Sequence, residues 1–190
     1  FNNDGSNGTG YLRTFANNQA SGAGSTGVLT IGVGGLFATS ANVTTTSFIE
    51  GRVDFGASPN FIDVAPISGG GFASVDPFRP AFALQGVVGS TGGITKTGNG
   101  VLVLAGNNSF GGLNLATGRV EVSANANLGD TLSGPVTFQA TSQNSNAGPV
   151  LRITDSFATG RTITTAASGF GGLDIDSGKT LVLNAALTTG

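Results

Sequence analysis

In the stretch DIDSGKT, Asp174 and Asp176 stand two positions apart. On a strand that spacing turns both carboxylates to one face, the arrangement from which an oxygen-ligated calcium site would start. Such a site needs roughly six or more oxygen ligands, and the glycine-rich calcium nonapeptide with its regular aspartates is absent, so the pair reads as outward, solvated aspartates. Ser177 to Thr180, SGKT, ends like a phosphate-binding loop. That loop needs an earlier glycine where Leu173 stands, however, and a strand pattern follows in place of a helix. Asp54, Asp63 and Asp76 lie in or beside an irregular stretch but show no recurring paired spacing of the kind acid–base cleavage of polysaccharides requires. Histidine is absent, so the many serines have no imidazole to activate them. No catalytic residue, cofactor-binding residue or metal ligand is expected, and the expectation is a protein that is not an enzyme.

The composition agrees with a chain built for architecture. Charged residues make up 9% and the net charge is −2, which leaves no basic footprint for nucleic acid and no polybasic patch for anionic lipid. With 33 glycines, and with Ser, Thr and Asn filling the gaps between short Val, Leu, Ile and Phe runs, the chain is rich in strands and turns. Cysteine is missing, which removes disulfides, thiolate chemistry and sulfur-ligated metals together. Stability must then come from a hydrogen-bond ladder and a continuous core. No apolar run approaches the roughly 18–20 residues of a membrane-spanning helix. The chain opens at Phe1 and contains no methionine, which reads as a processed product or an excised fragment. The triplets at Asn7, Asn42 and Asn107 read as turn asparagines rather than glycosylation acceptors.

A repeat positions these residues. GGITKTGNGVLVLAG from Gly92, GGLNLATGRVEVSAN from Gly111 and GGLDIDSGKTLVLNA from Gly171 share a plan: two glycines, a short strand, a glycine turn and a second alternating strand. The turn glycines Gly98, Gly118, Gly160 and Gly178 are separated by intervals of 20, 42 and 18 residues, which share a unit near 20, about one coil of a parallel β-helix. Alternation then assigns the core. Val120 and Val122 point in and Glu121 points out, because an unpaired buried carboxylate is costly. Leu181 and Leu183 point in and Val182 out, while in VLVL either Leu102 and Leu104 or Val101 and Val103 fill the interior. Asn99-Gly100 makes a corner. The fold class expected is all-β, a parallel β-helix (β-solenoid) with coils of about 20 residues, roughly nine coils and on the order of 45 Å long.

Residues 92 to 130, GGITKTGNGVLVLAGNNSFGGLNLATGRVEVSANANLGD, resemble the passenger-associated transport repeat of bacterial autotransporters. That repeat runs Gly-Gly-Leu-Thr-Lys-Thr-Gly, a strand, Ser-Gly-x-Asn-x-Tyr, then Gly-Gly and a strand ending in Leu-Gly. Phe110 stands where the family usually has Tyr, with no Thr between it and Gly111. Residues 135 to 187 are similar to the coils that separate two such repeats, so the resemblance covers roughly residues 86 to 190. It implies a right-handed β-helix, exported across the outer membrane and displayed at or released from the bacterial surface. In that family the repeat carries no active site.

The expected organisation is one solenoid with N-terminal coils over 1–57, a Pro/Phe-rich protruding loop or irregular coil over 58–86, and regular repeat coils over 87–190. Proline cannot donate to a ladder, and residues 58–86 hold four of the six prolines. The same stretch is the candidate contact surface, with Phe61, Phe72, Phe78 and Phe82 as apolar anchors and Arg79 as the polar one. Two functions compete. One is a structural or adhesive segment of an autotransporter-like passenger that meets a host or neighbouring-cell surface component. The other is a subunit of an extracellular filament that meets other copies of itself, end to end or by strand exchange. The C-terminal LVLNAALTTG ends as if another coil should follow.

Overall fold

The structure, a computed structural model, describes residues 2–3, 11–13, 27–32, 35–41, 43–57, 60–68, 78–130, 134–139, 148–167 and 170–189. Val/Ile/Leu/Phe alternation with glycine punctuation yields short strands, and the described residues contain no α-helix. An eight-stranded sheet stacks Asn2–Asn3, Leu36–Ser40, Asn60–Val64, Ile94–Thr97, Leu113–Leu115, Val136–Phe138, Ile163–Thr165 and Leu187–Thr189 in chain order. A seven-stranded sheet stacks Tyr11–Arg13, Ser47–Glu50, Pro80–Leu84, Val101–Leu104, Arg119–Val122, Val150–Ile153 and Gly172–Ile175, again in chain order. Val28–Thr30, Arg52–Asp54 and Val88–Gly89 form a third sheet, and Phe157–Thr159 pairs with Leu181–Leu183. Every pairing among these strands is parallel. The fold is therefore all-β with long parallel sheets that the chain revisits in turn, compatible with a β-solenoid. Among the described residues the longest sheet stacks eight strands.

Register aligns like with like. Leu102, Val120, Leu151 and Leu173 are successive partners, as are Ile94, Leu113, Val136, Ile163 and Leu187. These columns point inward. Leu102, Leu104, Leu113, Val120 and Leu151 are all buried in one continuous core, which settles the VLVL alternative in favour of the leucines. Val182 is exposed while Leu181 and Leu183 are partly buried against the core, as alternation requires.

Residues 58–86 join the scaffold at both ends. Asn60–Val64 and Pro80–Leu84 are strands of the two large sheets, and Pro80 opens its strand, where its missing N–H costs least. Phe72 and Asp76 lie outside the described residues. Phe82 has no exposed surface and belongs to the core, a correction to its reading as a contact anchor. Its register partner Leu102 explains this, since the phase of the strand carries Phe82 inward.

Of the expected turn glycines, Gly98, Gly118 and Gly178 have φ of 72°, 71° and 75°. Gly118 is doubly constrained, because a Cβ there would lie 2.4 Å from the Gly98 carbonyl oxygen of the preceding turn. Gly160 is not among the positive-φ glycines, and a Cβ there would meet nothing within 4 Å.

Buried cations and amides tie the corners. Lys96 follows Ile94 in inward phase and is 0% exposed. Its Nζ donates to the carbonyls of Thr97 and Gly98, both at 2.7 Å, and of Thr117 at 3.4 Å. Burial pulls the Lys96 ammonium down to about 7, with the charge of Asp63 opposing. Arg161, 4% exposed and in phase with Ile163, donates to the carbonyls of Gly129 at 2.7 Å, Asp130 at 2.6 Å, Gly134 at 2.9 Å and Asn125 at 3.3 Å, and its Nε reaches Asn125 Oδ1 at 2.9 Å. It thereby closes the segment that follows the short 3₁₀ turn Asn125–Leu128. Within that turn Asn127 accepts from the N–H groups of Ser123 and Ala124 and donates to the carbonyls of Ala105 and Gly106 one turn back.

Candidate functional site

The outer face of the seven-stranded sheet carries the densest set of charged side chains among the described residues. Alternation that sends Val120 and Val122 inward sends Arg119 and Glu121 outward, and parallel register then places Val103, Glu121, Arg152 and Asp174 in one column across four strands. Opposite charges meet along it. Arg152 Nη1 lies 3.0 Å from Glu121 Oε1 and its Nε 2.7 Å from Asp176 Oδ1, while Arg119 Nη1 lies 2.6 Å from Asp174 Oδ2. Asp174 and Asp176 do share a face, but each is taken by a guanidinium rather than left to solvent. Among the described residues no group of three or more carboxylates, histidines or cysteines is placed to hold a metal ion.

Glu121 points outward as expected and is nevertheless only 7% exposed. Burial pushes its carboxyl above the usual range, opposed by the hydrogen bond and charge of Arg152 and by the charge of Arg119. The hydrogen bond to Asp176 leads the causes that raise Arg152. Paired in this way, the carboxylates serve as acceptors fixed in place.

The Pro/Phe-rich stretch reaches this face. The Phe78 ring lies 4.2 Å from the Arg119 guanidinium carbon, a cation–π contact between residues far apart in sequence, and Phe78 remains 46% exposed. Phe78, Arg79, Arg152, Asp174, Asp176 and Ser177 line an open cleft of about 600 Å³. That volume falls in the range of ligand-binding clefts, about 300–1,000 Å³. Arg79 differs from its neighbours, for its Nε is buried and, among the described residues, meets no hydrogen-bond acceptor. The structure thus brings Phe78 and Arg79 together with Asp174 and Asp176 and leaves Phe61 elsewhere. Phe61 sits on the eight-stranded sheet, its ring edge-on to Phe37 at 5.2 Å.

The other sequence candidates scatter. Asp63 accepts from Thr97 Oγ1 at 2.8 Å on the eight-stranded sheet, whereas Asp54, on the third sheet, accepts from the Gly56 N–H at 2.8 Å. Lys179 of SGKT lies 2.9 Å from Asp155, which with the Ser156 N–H holds that exposed carboxyl below its usual range. Arg119 and Arg152 were missed by sequence reasoning. The signal that could have found them is their outward phase, each one residue from an inward aliphatic; Arg152 is also in register with Glu121 and Asp174 on the strands to either side.

At the C-terminal end of the sheets, Leu173, Ile175 and Leu187 are 36%, 41% and 60% exposed. They sit in inward columns on the last described strands of their sheets, and Leu173 and Leu187 line a smaller apolar recess of about 210 Å³ with Phe138 and Ile163. No helix is long and apolar enough to cross a membrane among the described residues. No family model, no curated protein and no solved structure matches this chain.

Proposed function

We propose that the chain is a non-enzymatic β-solenoid of the bacterial surface or exterior, right-handed with coils of about 20 residues, whose work is to project a rigid rod and make contact through its outer face. It serves as a structural or adhesive segment of an autotransporter-like passenger. The observation that carries this reading is the continuous parallel stacking of eight and seven strands, which commits the inward side chains to core and leaves the outer faces for contact. The ion-paired carboxylates of the cleft support binding over proton transfer, because a general acid or base must be free to exchange its proton with a ligand.

A second reading is a subunit that stacks end to end in a filament. Negative-stain electron microscopy with concentration-dependent light scattering separates the two. Short single rods that bind labelled cell surfaces support the passenger reading, and fibres of uniform width favour the filament.

A further inference from the structure

We propose that the cleft between Phe78–Arg79 and Asp174–Ser177 binds a saccharide bearing a single isolated carboxylate, the carboxylate meeting Arg79 and a sugar ring lying on Phe78. This deepens the contact reading above and rests on it. The argument begins with charge. Arg119 and Arg152 each hold a carboxylate on this face at 3.0 Å or closer, but Arg79 in the same cleft has an Nε that is buried and unsatisfied. Its Nε is out of a ligand's reach, but Arg79 as a residue is only partly buried, and a guanidinium prefers a planar carboxylate, which its terminal nitrogens can grip through two parallel hydrogen bonds.

Shape and chemistry narrow the class. The cleft is open, about 600 Å³, and crosses several strands of the sheet, from Pro80 to Asp174. Phe78, half-exposed, is held by Arg119 and presents an apolar ring next to Arg79. The same cleft offers Asp174, Asp176 and Ser177, acceptors suited to sugar hydroxyls. Those aspartates also set a limit. They repel a second and third negative charge, so a densely anionic polymer is disfavoured and one carboxylate among neutral sugars fits.

The test uses the whole chain on immobilised oligosaccharides of three kinds: neutral, capped by one sialic or glucuronic acid, and fully uronated. A glutamate-containing peptide is the fourth probe. The expected result is binding to singly capped oligosaccharides at least tenfold tighter than to their neutral counterparts. Arg79→Gln should abolish that difference, and Phe78→Ser, a change at an exposed ring that leaves the core intact, should weaken binding to both. Arg52→Gln, on another sheet, should change neither. Equal binding of neutral and capped sugars, preference for the fully uronated polymer or for the peptide, or retention of the preference in Arg79→Gln overturns the proposal. If the rods bind cells while none of these sugars is bound, only the ligand class fails; if they bind no surface at all, the contact reading fails with it.

Discussion

Cations occupy this molecule in two ways. At the corners Lys96 and Arg161 are enclosed and spend their hydrogen bonds on backbone carbonyls, whereas on the outer face of the seven-stranded sheet Arg119 and Arg152 lie partly open and face carboxylates. The difference teaches which cations build the fold and which dress it. A carbonyl left without a donor in the interior has no water to turn to, while an outer carboxylate that loses its arginine is rehydrated. Corner cations therefore take the place of staples in a chain without cysteine, and face cations shape a surface.

That comparison can be broken by substitution. Arg161→Met strips donors from the carbonyls of Asn125, Gly129, Asp130 and Gly134, and a loss of about 3–5 kcal/mol in urea unfolding is expected. A loss below about 1 kcal/mol, the scale of an exposed ion pair, would put Arg161 in the same class as the outer arginines.

Lys96 sharpens the contrast through pH. Its folded value, about 7, is below its ordinary 10.5, so between those limits the unfolded chain binds more protons and stability rises with pH. Below pH 7 both states are protonated and the full penalty of burying the ammonium remains. The expected gain from pH 7 to 10.5 is a few kcal/mol, measured by urea midpoints. Without histidine or cysteine, and with one tyrosine, few other side chains titrate in that window. Lys96→Met should flatten the profile, and a slope that survives the substitution would refute the assignment.

Gly118→Ala probes a corner without charge. Positive φ together with a Cβ 2.4 Å from the Gly98 carbonyl oxygen predicts a loss of about 2 kcal/mol, whereas Gly160→Ala, with open space around it, should stay within about 0.5 kcal/mol. On the outer face the effect is smaller than at Lys96, Arg161 or Gly118. Arg119→Gln should cost at most about 1 kcal/mol, given that Asp174 is 44% exposed, and the cost should fall further in high salt.

Much of the fold was legible because alternation and glycine spacing are local. Val120 with Val122 and Leu181 with Leu183 took their sides from the period of two alone. Lys96 and Arg161 obey the same phase, two residues from Ile94 and Ile163, and could have been placed inside by it. What sequence does not display is the acceptor set that makes such burial tolerable: Arg161 reaches carbonyls 27 to 36 residues away. Glu121 is the mirror case. Phase sent it outward correctly, but Arg152, 31 residues on, closes over it and leaves it nearly buried. Of the cleft, Phe78 and Arg79 were legible as an aromatic and a cation in an irregular stretch. Their meeting with Asp174 and Asp176 depends on the stacking of strands between them, which no single segment records.

The parallel stacking has a mechanical consequence. Each strand bonds to the turn before and the turn after, so the backbone hydrogen bonds between turns point along the direction in which the strands stack. Tension applied to the two chain ends in that direction would load one turn's bonds at a time instead of shearing a whole sheet together. The stack would lengthen like a tape pulled from its roll, in a train of small, nearly equal steps, with Lys96 and Arg161 as the places where the peeling pauses.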